Sequence, residues 1–178
     1  MNASYWKGDG EVAAKFGFHY LKPLPKFPQL IQWKKPIDGW WKLNCNGASK
    51  ENLEAVGIGW LIRNSHGNLV LAFADFLEEQ TNTYAELYAV VRGLQLARDT
   101  GCNRLWIEID AMVVLHIIEK REGNWKLHHL LTHLRLLNRG ITLKVTHVFR
   151  EENTPTDFLV NLACRDRVRQ VFTTAQSE

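Results

Sequence analysis

The spacing of apolar residues changes its period along the chain, and this change restricts the fold more than any other sequence feature. Residues 40–46, 56–64 and 69–77 have the composition of strands, and the segment 65–68, Ser-His-Gly-Asn, is typical of a turn. Because the connections between these strands are short, we expect an antiparallel meander.

After the meander the period becomes helical. Tyr84, Leu87, Val91 and Leu94 are spaced by three and four residues, which predicts a helix over residues 82–99. The pattern then predicts a strand over 104–109, helices over 112–120 and 125–138, a strand from Ile141, and a helix from Thr154. This order predicts an α/β fold with a mixed five-stranded sheet, three strands antiparallel and two parallel, flanked by helices.

The N-terminal segment differs from the rest in composition. Residues 1–38 contain four of the five prolines and carry six lysines against three acidic residues, which is the whole net charge of +3. We expect an extended arm or linker over residues 1–38, one domain over 39–170 and a tail over 171–178. The excess charge fits either a solvated linker, the favoured alternative, or a segment that binds a phosphate backbone.

Several classes of protein are disfavoured by composition. No apolar run reaches the roughly 20 residues that a membrane span needs, so no membrane partner is expected. The N-terminus has no secretory signal pattern. Three scattered cysteines lack metal-ligand spacing and indicate a reducing compartment, so we expect an intracellular protein, nuclear or cytoplasmic. We also expect a monomer.

Three acidic residues stand at the ends of predicted elements. Glu86 and Asp157 each lie three residues after a threonine in a first helical turn, and Asp110 directly follows the fourth strand. Taken singly, each is best explained as a helix cap. Taken together, the topology brings them to one region, where their repulsion predicts two bound Mg²⁺ or Mn²⁺ ions.

The ordered motifs resemble a known family. They are Gly39-Trp-Trp-Lys-Leu-Asn-Cys-Asn-Gly-Ala, Gly57-Ile-Gly-Trp-Leu-Ile-Arg, Thr83-Tyr-Ala-Glu-Leu, Ile107-Glu-Ile-Asp and His147-Val-Phe-Arg-Glu-Glu-Asn-Thr-Pro-Thr-Asp-Phe-Leu. Over about residues 35–167 the chain resembles type 1 ribonuclease H, and specifically the ribonuclease H-like domains of plant LINE-type retroelements. The resemblance implies a ribonuclease H-like fold that cleaves the RNA strand of RNA–DNA hybrids with two divalent ions. A less favoured alternative, which the proline-rich residues 22–36 fit, is that the domain is one part of a larger reverse-transcriptase polyprotein.

The resemblance also implies roles for particular residues. Glu86, Asp110 and Asp157 match three of the four metal-binding carboxylates, and His147 matches a loop histidine that helps the product and metal leave. An alternative for His147 is a histidine that only makes a local hydrogen bond. The resemblance implies nucleic-acid contacts by Lys50, Asn82, Asn153, Trp125 and Lys126, although Trp125 is more simply explained as a core residue at a helix start.

One departure from the family concerns catalysis. The first carboxylate of the family belongs to an Asp-Gly pair, and this chain has Asn46-Gly47 there. An amide keeps one ligand oxygen but loses the negative charge that a divalent cation prefers. We therefore expect that asparagine at position 46 weakens or abolishes the cleavage of RNA–DNA hybrids. The alternative is a domesticated, inactive module that binds nucleic acid or a protein partner.

Overall fold

A computed structural model of the chain describes residues 33–50 and 55–173. The predicted order of elements is confirmed, with one added strand at the end. The strands are β1 (Trp41–Lys50), β2 (Ala55–Arg63), β3 (Leu69–Leu77), β4 (Arg104–Ile109), β5 (Thr142–His147) and β6 (Arg169–Thr173). The helices are α1 (Asn82–Asp99), α2 (Met112–Lys120), α3 (His128–Leu137) and α4 (Thr154–Asp166), with 3-10 turns at Trp125–Leu127 and Arg150–Asn153.

The sheet is mixed, as predicted, and its order is β5-β4-β1-β2-β3-β6. Strand β1 lies centrally, antiparallel to β2 and parallel to β4, and Cys45 of β1 pairs with Ile109 of β4. Residue 46 therefore lies one position beyond the last paired residue of β4. Asp110 follows that strand directly, so the two side chains share one end of the parallel pair.

The sheet has six strands rather than the predicted five. Strand β6 pairs antiparallel with the edge strand β3, and four of its five residues are exposed. An edge strand with so little burial lacks the apolar alternation by which strands are recognised in sequence. It extends the ordered sheet to Thr173, into the segment predicted as a tail.

The two faces of β1 have different surroundings. Leu43 and Cys45 point into the main apolar core, which includes buried residues of α1, α3 and β4. Residues of opposite parity point to the other face, where α4 packs over β2 and β3. Alternation along a strand thus sends Asn46 towards α4, on the face opposite that of Cys45.

A buried ion pair lies on the same face as Asn46. The Lys42 ammonium lies 2.7 Å from one carboxylate oxygen of Glu108, and the Asn44 amide donates to the other at 2.9 Å. The Lys42 ammonium also lies 3.8 Å from the ring centroid of Trp106 and 5.4 Å from that of Trp33. These contacts join β1 to β4 and to the segment before β1.

Within the described residues, no helix combines the length and apolar character needed to cross a bilayer. The basic arm predicted for residues 1–38 lies largely outside the described part of the chain. Of its lysines, Lys34 and Lys35 are described, and both are exposed. The arm's contribution to phosphate binding therefore stays a prediction.

Candidate active site

A cavity of about 280 Å³ opens where β1, β4 and the start of α1 meet. Asn46, Glu86, Asp110 and Arg150 line it together with Asn82 and other residues of the same loops and helix start. The structure thus brings two of the three predicted acids, and the predicted Asn46, to one cavity. The third acid, Asp157, is not part of the lining.

Gly47 determines how closely α1 approaches β1 at this cavity. A Cβ atom at Gly47 would lie 2.4 Å from the carbonyl carbon of Ala85 and 2.5 Å from the backbone nitrogen of Glu86. Only glycine permits this contact without moving the backbone. The Gly47 backbone N–H also donates to the Glu86 carboxylate, so one residue both admits the helix and orients the acid.

The capping explanation for Glu86 and Asp110 is wrong. Helix α1 is capped by Thr81, whose hydroxyl accepts from the Tyr84 backbone N–H at 3.2 Å. Ala111 stands at the N-terminal cap position of α2 and makes no side-chain capping bond. One buried carboxylate oxygen of Glu86 and one of Asp110 have no hydrogen-bond partner within the described structure.

Asp157 is not a cap either, and its contacts differ from those of the other two acids. Helix α4 has no side-chain capping bond. Asp157 Oδ1 accepts from the Arg150 guanidinium at 2.9 Å and, more weakly, from the Asn46 amide at 3.5 Å. Its Oδ2 accepts from the Asn161 amide at 3.1 Å. Asp157 therefore faces Asn46 with both oxygens engaged by protein donors.

The two cavity acids resist ionisation. Burial, and next the negative charge of Asp110, raise the pKa of Glu86 to about 8, against lowering effects of the Gly47 N–H and Arg150. Burial also raises the pKa of Asp110, and Asp157 adds to the rise. Opposing contributions come from backbone and Asn153 hydrogen bonds and from Arg150. Arg150 does not offset the effect of burial on either carboxyl, and buried acids with raised pKa values of this kind are typical of functional sites.

Two further predicted residues, Asn153 and His147, contact backbone carbonyl groups of the strands and loops that carry the site. The Asn153 amide donates to the Cys45 carbonyl at 2.9 Å, which ties the turn before α4 to β1. His147 ends β5, and its Nε2 lies 3.2 Å from the Asp110 backbone carbonyl oxygen. This contact agrees with the alternative given above for His147, a histidine that makes a local hydrogen bond. A role of His147 in product release stays a prediction.

The predicted nucleic-acid contacts do not form one surface, and Asn153 among them is fully buried. Asn82 lines the cavity. Trp125 is 76% exposed, so its explanation as a core residue is wrong, and the Lys126 ammonium lies 5.7 Å from its ring centroid. Lys50 ends β1, and its side chain lies outside the described structure.

Arg150 is a site residue that the sequence reasoning missed. It lies in the 3-10 turn before α4, three residues after His147, and its side chain is 71% exposed. Its place in the motif that begins at His147 was the available signal. In the sequence, an arginine followed by Glu151 and Glu152 is most simply interpreted as one more surface charge.

The oxygen ligands that line the cavity fit a hard divalent cation only partly. The unpartnered oxygens of Glu86 and Asp110 are anionic or ionisable ligands, and the Asn46 amide oxygen is a weaker one. Within the described residues, however, no three His, Cys, Asp or Glu side chains are grouped closely enough to hold a metal ion together. The fit is therefore to a site built on two carboxylates.

The order of strands and the acids at the end of the β1–β4 pair define a ribonuclease H-like domain. Residues 44–163 match the profile of the family described as reverse transcriptase-like, and the chain belongs to that family. A protein of Arabidopsis thaliana named after ribonuclease H is 29% identical over 143 residues, which are 78% of this chain and 23% of that protein.

Archaeal and other relatives share the fold. Ribonuclease HI of Halobacterium salinarum is 30% identical over 128 residues, 68% of this chain and 62% of that protein. The crystal structure of RNase H1 from the same organism has a TM-score of 0.66 at 26% identity and covers 73% of this chain and 100% of its own. LC11-RNase H1 in complex with an RNA/DNA hybrid has the same TM-score at 20% identity, with 71% and 98% covered. The chain thus spans less than two thirds of both relatives compared by sequence.

Proposed function

We propose that this domain hydrolyses the RNA strand of RNA–DNA hybrids in a divalent-cation-dependent reaction that Asn46 weakens. The observation that supports the proposal is the pair of buried, unpartnered carboxylate oxygens of Glu86 and Asp110 in one cavity with Asn46. Buried acids without partners are costly unless a ligand uses them. The ribonuclease H names of the relatives make nuclease chemistry the natural use.

Glu86 and Asp110 would hold the cation, with the Asn46 amide oxygen as a neutral ligand. A bound divalent cation lowers the pKa of an attacking water and stabilises the leaving oxygen of a phosphodiester. The residue-level consequence is that Glu86 must lose its proton on binding, because its pKa lies near 8 in the protein alone. The resemblance to ribonuclease H implies two such ions.

The substrate would be recognised by shape and by 2′-hydroxyls across a shallow minor groove rather than by base sequence. Exposed Trp125 and Lys126 offer an aromatic surface and a positive charge for the nucleic-acid backbone. The hybrid bound to LC11-RNase H1, a protein of the same fold, favours this substrate class.

One observation favours a second function, the binding module without catalysis. The Asn46 amide and Arg150 both face Asp157, so this part of the site is neutralised without a metal ion. A domain that had lost catalysis would tolerate such an arrangement. It would bind duplexes or a protein partner without cutting RNA.

The proposed function can be tested by single-turnover cleavage of a labelled RNA strand in Mn²⁺. The natural chain is compared on an RNA–DNA hybrid and on DNA and RNA duplexes of the same sequence. We expect slow cleavage of the hybrid alone, loss of cleavage in Asp110→Asn, and no change in the matched control Asp99→Asn, whose exposed carboxylate contacts Gln95. Cleavage that survives Asp110→Asn refutes the site, and hybrid binding with no cleavage by either the natural chain or the Asn46→Asp variant favours the binding module.

A further inference from the structure

The candidate site is asymmetric in how its acids are satisfied. Glu86 and Asp110 each keep a buried oxygen without a partner, whereas Asp157 is contacted by three protein donors. Oxygen ligands for a cation are therefore free at Glu86 and Asp110, whereas those of Asp157 already accept hydrogen bonds from protein donors. The two sides therefore differ in their need for metal.

Asn46 contributes to this asymmetry as a donor. Its amide nitrogen lies 3.5 Å from Asp157 Oδ1. An aspartate at position 46 would instead bring a second carboxylate to that distance, and two such charges repel unless a cation lies between them. With asparagine, the Asp157 side of the site is stable without a second metal ion.

Arg150 supplies a positive charge at the same place. Its guanidinium forms the ion pair with Asp157 and lines the cavity that holds Glu86 and Asp110. Three carboxylates and one guanidinium leave two negative charges when all are ionised, which is the charge of one divalent cation. A second divalent cation near Asp157 would face an adjacent positive charge.

We infer that Arg150 takes the role of the second cation, so that this chain binds a single divalent ion, on the side of Glu86 and Asp110. The inference rests on the proposed function in one respect, namely that the cavity binds a divalent cation. It does not depend on the strength of the ion pair, since an exposed pair contributes little to stability. What matters is where the guanidinium charge lies.

Metal stoichiometry tests the inference without an activity assay. Binding of Mn²⁺ is titrated by electron paramagnetic resonance of the free ion, with the natural chain and with Arg150→Gln, Arg150→Lys, Asn46→Asp and the double variant Asn46→Asp/Arg150→Gln. Arg165→Gln is the matched control, because Arg165 is equally exposed at 71% and pairs with its neighbour Asp166. Circular dichroism in EDTA verifies that each variant is folded.

We expect one Mn²⁺ in the natural chain, in Arg150→Lys and in Asn46→Asp, and two in the double variant. Arg150→Gln should bind its first ion at least about tenfold more tightly than Arg165→Gln, which is about 1.4 kcal/mol. Two ions in the natural chain or in Asn46→Asp, or equal affinities for the two glutamine variants, would overturn the inference and leave the proposed function standing. Absence of Mn²⁺ binding in every variant would refute the proposed function as well.

Discussion

Replacing Glu86 by glutamine should make the metal-free protein more stable at alkaline pH. The Glu86 carboxyl is buried, with 7% of the residue exposed, and its pKa is raised from the ordinary 4.5 to about 8. In the unfolded chain the same group loses its proton near 4.5. The stability that neutral Glu86 contributes is therefore fully present below about pH 4.5 and is lost as the pH rises through about 8.

The size of the effect follows from these two values. A tenfold change in proton affinity corresponds to 1.36 kcal/mol, so the interval from 4.5 to about 8 sets an upper limit of about 4.8 kcal/mol. Glutamine is neutral at every pH and still accepts the Gly47 N–H. The unfolding free energy of Glu86→Gln, relative to the natural chain, should therefore rise by about 2–4 kcal/mol between pH 5 and pH 8.

The assay is urea and thermal unfolding in EDTA at pH 5, 6, 7 and 8, with Glu78→Gln as an exposed control. At pH 8 the Glu86→Gln variant should melt roughly 10 °C above the natural chain, since about 1 kcal/mol corresponds to 2–4 °C for a protein of this size. Excess Mn²⁺ should stabilise the natural chain and have little effect on the variant. If the unfolding free energies of the natural chain and Glu86→Gln change in parallel with pH, the pKa of Glu86 is not raised by burial and this prediction is refuted.

Three further outcomes follow from the packing and from the charge distribution. Gly47→Ala should lower stability by about 3 kcal/mol, because the new Cβ would overlap the α1 backbone, and calorimetry should show this loss at pH 5 and pH 8 alike. Lys42→Met should cost about 3–5 kcal/mol in urea unfolding by leaving Glu108 buried without its positively charged partner, and adding Glu108→Leu should recover most of the loss. Deleting residues 1–32 should weaken hybrid binding and flatten its salt dependence, measured by fluorescence anisotropy from 50 to 300 mM salt; equal slopes would contradict a role for the basic arm.

The main helices and strands could be predicted from sequence because each has a clear apolar period within its own residues. The spacing in α1 and the alternation in the strands are set by which face is buried, and the structure follows them. Strand β6 was missed because its few residues are mostly exposed. Its pairing with β3 is a tertiary contact that no local period reports.

The structure brings the predicted residues Asn46, Glu86 and Asp110 to one cavity, but the capping explanation could not be resolved in sequence. Thr81 and Thr83 are both plausible caps for α1, and only the geometry assigns that role to Thr81. Each capping motif also matches the sequence that a metal ligand would have at a helix start. Local sequence favours the cap for each acid taken singly, and only the folded arrangement decides against it.

The buried ion pair between Lys42 and Glu108 could not be predicted from the sequence. Lys42 alternates with apolar Trp41 and Leu43, which predicts a solvent-exposed lysine on a half-buried strand. In the structure Lys42 is fully buried, because Glu108 neutralises it and the rings of Trp106 and Trp33 lie over it. Two of these partners come from β4 and one from the segment before β1, so the environment is visible only once the chain is folded.

We propose that Glu86, Asp110 and residue 46 form a hydrolytic site whose activity is weakened by the asparagine. Single-turnover cleavage of a labelled RNA–DNA hybrid by Asn46→Asp and by the natural chain tests it most directly. The Asn46→Asp variant should cut the RNA strand at least about 100-fold faster, on the order of 3 kcal/mol in activation free energy, with little change in hybrid affinity. Adding Asp110→Asn should abolish the gain. Equal rates for the natural chain and Asn46→Asp, with Glu86, Asp110 and Asp157 intact, would contradict the account.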